Sequence, residues 1–213
     1  GDPRDAARLR ELAAELVTAP YIGLDTEFLR ERTYRPQLCL LQLATPSRCE
    51  CVDPLGDIDL SLFRRPLAAG GPTKIMHAAR QDLEVLWPLF GPLAPLFDTQ
   101  VAAMVCGYGD QVSYGELVQS VCKVPVDKSS RFTDWSRRPL SEAQSTYAAS
   151  DVTHLRQVFL ALDDQLRQRG RNDWVGEEME ILTSPDTYRA EPERAWMRLK
   201  TRVRKPKELA VLI

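Results

Sequence analysis

The run YIGLDTEF, residues 21–28, sets two carboxylates two positions apart inside an otherwise apolar stretch. Successive side chains of a strand point to opposite faces. Asp25 and Glu27 therefore share one face, while Ile22, Leu24, Thr26 and Phe28 share the other. Two acids held that close repel unless one keeps a proton or a cation lies between them. The run poses a choice between shared-proton and metal chemistry, and the rest of the chain must decide it.

Two further acids stand where helices present them. Asp82 lies four residues beyond Ala78, on the helical pattern ARQDLEVLWPLF, and Asp151 lies one turn beyond Tyr147 on a longer one. Each is weak evidence alone, because a single helix acid is usually a solvated one. Together, four carboxylates in one pocket suit hard cations such as Mg²⁺ or Mn²⁺. Two such ions about 3.5 to 4 Å apart can clamp a phosphodiester, one activating water and the other stabilising the leaving oxygen. A cation is the better answer to the crowding of Asp25 and Glu27. Only two histidines, His77 and His154, are present, which leaves oxygen as the main ligand type. The cysteines at 39, 49, 51, 106 and 122 form no C-x-x-C pair and read as reduced, structural residues.

These acids need a scaffold. Leu9, Leu12, Ala13 and Leu16 recur at helical spacing ahead of the first strand, and YIGLDTEF, QLCLLQLAT and RCECVDP then read as a meander of strands. TKIMHA and LFDT follow as strands, each entering a helix. Strands first, then strands alternating with helices, predict an α/β architecture with a mixed sheet covered by helices. RPLSEAQ predicts the N-terminus of the longest helix, with Ser141 as N-cap and Gln144 closing a capping box. From there a single apolar stripe through Ala148, Val152, Leu155, Phe159, Leu162 and Leu166 runs to a stop at Gly170.

Charge narrows the partners. The formal net charge of −2 argues against an indiscriminate polyanion binder. The basic side chains are nevertheless concentrated in residues 122–138 and 194–207, where Trp135 and Trp196 would be available for stacking on bases. No run approaches the roughly 20 apolar residues of a membrane span, and charges occupy the place of a signal peptide, so no membrane association and a cytoplasmic address are expected.

The segments LDTEFLRERTYRPQLCLLQL, KIMHAARQDLEVL, FDTQ and DKSSRFTDWSRRPLSEAQSTYAASDVTHL, in that order over residues 20–170, resemble the ribonuclease D family of the DEDD superfamily of 3'-to-5' exonucleases. The resemblance implies a ribonuclease H-like exonuclease fold with a mixed sheet of five to six strands flanked by helices. It implies Asp25 and Glu27 as the first acidic motif, Asp82 as the second and Asp151 as the third, all four as catalytic metal ligands for two divalent cations, Mg²⁺ or Mn²⁺. Tyr147 stands at the place of the tyrosine subgroup, and Thr146 where the histidine subgroup needs its base. A phenol, ionising near pH ~10, is a poor general base at neutrality, so the role assigned to Tyr147 is to orient the attacking water. Asp25 is expected to bridge both ions, Glu27 and Asp151 to complete the nucleophile-side site, and Asp82 to support the other partly through water.

Lys128 is expected to face a substrate phosphate, and Arg138 to bind substrate. His77 and Gln42 also match the family pattern as substrate-side residues, although a structural role, satisfied by backbone, comes first for both. The expected organisation is an exonuclease domain over 1–182, a linker over 183–190, and over 191–213 the opening of a helical HRDC domain that stops early. The expected function is a metal-dependent 3'-to-5' exoribonuclease, a monomer that releases 5'-mononucleotides from RNA with an accessible 3' end, such as tRNA precursors and small structured RNAs. Two rivals remain: a DNA or oligonucleotide exonuclease of the same superfamily, and an inactive RNA-binding scaffold.

Overall fold

The computed structural model describes residues 3–30, 36–127, 129–130 and 132–188. Helix α1 (Pro3–Thr18) leads into β1 (Tyr21–Leu29), followed by β2 (Gln37–Ala44) and β3 (Cys49–Val52). A 3-10 turn at Leu60–Phe63 and the short α2 (Arg64–Leu67) then give way to β4 (Thr73–Met76), α3 (Arg80–Phe90), β5 (Leu96–Asp98) and α4 (Thr99–Cys106). Five helices complete the described chain: α5 (Tyr114–Cys122), α6 (Glu142–Thr153), α7 (Leu155–Arg169), α8 (Asn172–Thr183) and α9 (Pro185–Tyr188).

The described strands form one sheet in the order β3-β2-β1-β4-β5. β1 pairs antiparallel with β2 and parallel with β4, and β4 pairs parallel with β5. The sheet is therefore mixed, as the change of pattern along the chain predicts, and β1 lies at its centre. Alternation along β1 separates two environments. Ile22 and Leu24 are fully buried in a core with Leu12 and Leu16 of α1, Leu41 and Leu43 of β2, and Leu83 and Leu86 of α3. Gly23 faces the other way, where a Cβ would meet the Val152 carbonyl oxygen at 3.6 Å and the Leu155 side chain at 3.7 Å. Glycine there lets the end of α6 descend onto the strand that carries Asp25.

The capping box of α6 forms as predicted: the Ser141 hydroxyl accepts from the Gln144 N–H at 3.2 Å, and the Gln144 side-chain oxygen accepts from the Ser141 N–H at 3.0 Å. The single helix expected from Ser141 to Gly170 is instead two, broken at His154. The Tyr114 hydroxyl donates to the Ser150 carbonyl at 3.1 Å, the acceptor that the His154 N–H would take in an uninterrupted α-helix. The His154 N–H turns to the Val152 carbonyl instead. Helix α7 ends at Gly170 in the left-handed conformation, φ 62°, as the sequence predicts.

Of the stretch expected as a linker, Pro185–Tyr188 is a short helix, and the Tyr188 ring stacks on Trp87 with centroids 5.3 Å apart. Residues 189–213, with Trp196, the second basic run and the expected HRDC opening, lie outside the described residues. Among the described residues no helix is long and apolar enough to cross a membrane.

Candidate active site

Asp25 and Glu27 project from β1 toward the side covered by α6. Between Glu27 and Phe28 the β1–β2 register shifts, so that Glu27 pairs with Leu40 and Phe28 with Leu38, leaving Cys39 as an extra residue. Such a bulge bends a strand and re-aims its neighbours. Asp82 enters from α3, in the helix's first turn. Its approach is set by Asp98, a buried carboxylate that accepts from the N–H groups of Ala78 at 3.0 Å and Ala79 at 2.8 Å while capping α4 through the Gln100 N–H at 2.8 Å. Ala78 holds a positive φ of 55°, a conformation costly for a residue with a Cβ, and Asp98 secures it. The segment FDTQ thus has a structural job in orienting Asp82.

The electrostatics bring the predicted acids together. The Asp25 carboxyl holds its proton well above the ordinary carboxylate range, first because of burial and then because of Asp82, Asp151 and Glu27, in that order. Asp82 is pushed up to about 7, again by burial first, with a hydrogen bond from the Thr26 hydroxyl pulling the other way. Thr26 points to the α3 side of β1, so Asp82 reaches the group around the strand rather than from the Asp25 face. Asp25 with the three carboxylates that raise its proton affinity forms a donor set of hard oxygens with an excess of negative charge, which fits a divalent cation. As the side chains stand, no group of three or more His, Cys, Asp or Glu residues among the described residues closes into a ready coordination cage. The tie from Thr26 to Asp82 is one physical reason.

Tyr147 is buried beside Ala148, Cys39 and Leu40, one turn before Asp151 on α6. Trp135, expected to be open for base stacking, is buried to 2% exposure with its ring 5.9 Å from that of Tyr147. It wedges the tyrosine in place, and the stacking role is corrected. The exposed aromatic of the basic loop is Phe132, at 91%. Arg138, expected to bind substrate, is engaged within the protein. Its guanidinium pairs with Asp53 and donates to the carbonyls of Cys39 at 2.7 Å and Trp135 at 2.8 Å, anchoring the bulge. Lys128 lies outside the described residues.

His77 is engaged within the protein at both ring nitrogens, with the Thr99 hydroxyl at 2.9 Å and the Val112 carbonyl at 3.0 Å. Burial lowers its pKa, with the charge of Asp98 pulling the other way, and the Thr99 hydroxyl donates to the Met76 carbonyl at 3.0 Å. Gln42 departs from the expectation of backbone satisfaction: it is fully buried, and among the described residues neither its amide nitrogen nor its amide oxygen has a hydrogen-bond partner. A residue that sequence reasoning passed over is Tyr114. Its ring packs 5.6 Å from His77, and its hydroxyl sits at the α6 break next to Asp151. Burial raises its pKa most, followed by the charges of Asp151 and Asp25. SYGEL in the sequence signals only the start of a helix, and Ser113 does cap it.

A mixed five-stranded sheet that brings acids from a central strand and two helices to one place is the architecture of the 3'-5' exonuclease fold. The chain belongs to the 3'-5' exonuclease family, which matches residues 3–167. Within it, the chain is similar to ribonuclease D of Nitrobacter hamburgensis, 56% identical over 97% of this chain and 55% of that protein. It also resembles the crystal structure of Escherichia coli RNase D, an exoribonuclease involved in structured RNA processing, with a TM-score of 0.84 and 37% identity over 90% of this chain and 52% of that one. The chain spans about half the length of the curated relatives it matches. NrnC of Brucella melitensis has been solved with bound Mg²⁺ (TM-score 0.71, 25% identity, 90% of this chain and 94% of that one). Its structure with bound pGG is similar to this chain at a TM-score of 0.72 and 26% identity, over 90% of this chain and 93% of that one.

Proposed function

We propose that this chain carries the catalytic site of a metal-dependent 3'-to-5' exoribonuclease that releases 5'-mononucleotides. The observation that carries the reading is Asp25, half-buried on the central strand with three other carboxylates as the charges that most raise its pKa. Two divalent cations, Mg²⁺ or Mn²⁺, held by Asp25, Glu27, Asp82 and Asp151, would supply charge neutralisation at the scissile phosphate and a more acidic attacking water. The remaining work falls to side chains of this chain. Tyr147, wedged by Trp135, is placed to orient the water, and its buried ring keeps bulk solvent from that side. Phe132, exposed in the basic loop, offers a surface on which a base of the 3' end stacks. Phe132→Ala should raise KM about tenfold with kcat little changed, since stacking on one aromatic contributes about 1 to 3 kcal/mol per base.

The substrates this reading favours are RNAs with accessible 3' ends, among them tRNA precursors and other small structured RNAs. It also takes the protein as a cytoplasmic monomer and residues 191–213 as the opening of an HRDC domain, with 183–190 as the join. A second reading, clearance of very short oligonucleotides, is favoured by the similarity to NrnC, which was solved with pGG. One experiment separates them. A 5'-labelled single-stranded RNA of about 20 nucleotides, a DNA of equal length and pGG are each incubated with the protein in Mg²⁺, in Mn²⁺ and in EDTA, beside Asp151→Ala. An RNA ladder shortening from the 3' end only with metal and the intact acid supports the exoribonuclease. Cleavage of pGG alone moves the assignment to oligonucleotide clearance, and no cleavage of any substrate removes the enzymatic reading of this chain.

A further inference from the structure

Gln42 is the one polar side chain between Leu40 and Ala44 on the α6 side of β2. The β1–β2 ladder places it directly opposite Asp25. Opposed residues of an antiparallel pair project to the same face with Cβ atoms about 4.5 to 5.5 Å apart, well within the reach of a glutamine side chain. Yet its amide, at 0% exposure, makes no hydrogen bond at either end. Buried amides are normally paired, and one left unpaired weakens the fold that contains it. An apolar residue of similar volume would suit this position better if packing were its only purpose.

We propose that Gln42 is a positioning residue for Asp25: when the carboxylates close on a cation, its amide N–H donates to one Asp25 oxygen and leaves the other aimed at the ion. The proposal rests on the cation-binding reading of the site. An amide suits the task, because a neutral donor orients a carboxylate without competing with the cation as lysine or arginine would, and without adding a fifth acid as glutamate would. Groups of this kind, hydrogen-bonded to a metal's ligands, commonly change metal affinity about 10- to 100-fold when removed.

The test compares wild type with Gln42→Met, which keeps the volume and deletes the amide. Thermal melting without metal and Mn²⁺ titration by calorimetry are measured on each. Metal-free Gln42→Met should melt higher than wild type, since an unpaired amide is gone, while its Kd for Mn²⁺ rises about tenfold. In wild type, the side-chain NH₂ resonances of Gln42 should shift on adding Mg²⁺, a measurement that does not depend on the variant folding. If metal-free Gln42→Met melts lower, Mn²⁺ affinity is unchanged and the amide resonances stay fixed, Gln42 is a core residue only and the proposal is overturned. Wild type that takes up no Mn²⁺ overturns the cation reading itself, and with it this proposal. Wild type that binds while the amide stays fixed overturns the proposal alone.

Discussion

The two sides of β1 use buried polar groups in opposite ways. On the α1 and α3 side, Ile22 and Leu24 are packed without exposure. Lys74, in register with Ile22 on β4, is fully buried, but its ammonium donates to the carbonyls of Ala94 at 3.0 Å and Ala68 at 3.3 Å. On the α6 side, Asp25 is crowded by other carboxylates and Gln42 has no partner at all. The first side pairs the cation it buries, and the second keeps a buried amide unpaired beside a crowded acid. Burial without satisfaction is expected where a ligand completes the arrangement, so the contrast fits the α6 side as the candidate functional face.

The contrast breaks most clearly at Asp25 itself. Asp25→Ala should lower kcat by about 10³-fold or more, equivalent to about 4 kcal/mol, and raise the melting temperature of the metal-free protein by relieving repulsion. A variant that still turns over near the wild-type rate would remove Asp25 from the mechanism. The pH dependence of metal-free stability comes next. Asp82 releases its proton near pH 7 in the folded chain but near 3.8 when unfolded. The unfolded state therefore holds fewer protons between these values, and stability, complete below about pH 4, falls as pH rises toward 7. The change is on the order of 4 kcal/mol at most, with Asp25 acting in the same direction. Urea denaturation across this range should show the decline, and Mg²⁺ should flatten it; a flat metal-free profile would mean that burial does not hold a proton on Asp82.

Leu24→Ala probes the opposite side of the strand. It should cost about 2 to 5 kcal/mol in urea denaturation while leaving kcat of the folded fraction close to wild type, because a cavity forms away from the acids. A large kcat loss at full folding would show that the two sides are coupled. The smallest effect is expected of Tyr114→Phe, which deletes the donor to the Ser150 carbonyl and costs about 1 kcal/mol in stability. Since that hydroxyl holds the break beside Asp151, Mn²⁺ affinity should weaken with it, a change that calorimetry reads directly.

Much of this was legible in the chain. The period-two alternation of YIGLDTEF places Asp25 and Glu27 on one side whatever surrounds them, and Ser141 with Gln144 announces the start of α6. Both signals are local, carried by residues a few positions apart whose geometry follows from strand and helix periods. What misled was equally instructive. Trp135 and Arg138 sit in a basic stretch that reads as a nucleic-acid surface, yet the tryptophan packs on Tyr147 and the arginine closes on Asp53 and the Cys39 carbonyl, 85 and 99 residues away along the chain. No spacing rule predicts contacts at that range.

The sequence by itself therefore determined the chemistry on offer: oxygen ligands, their common face on β1, and the elements that carry the remaining acids. Only the tertiary structure decided which polar groups are satisfied. Pairing Gln42 with Asp25 depends on the β1–β2 register, and the split at His154 depends on a tyrosine 36 residues from the carbonyl it binds. Register and helix breaks result from packing summed over the whole fold, because shifting either element would turn an entire apolar face to water.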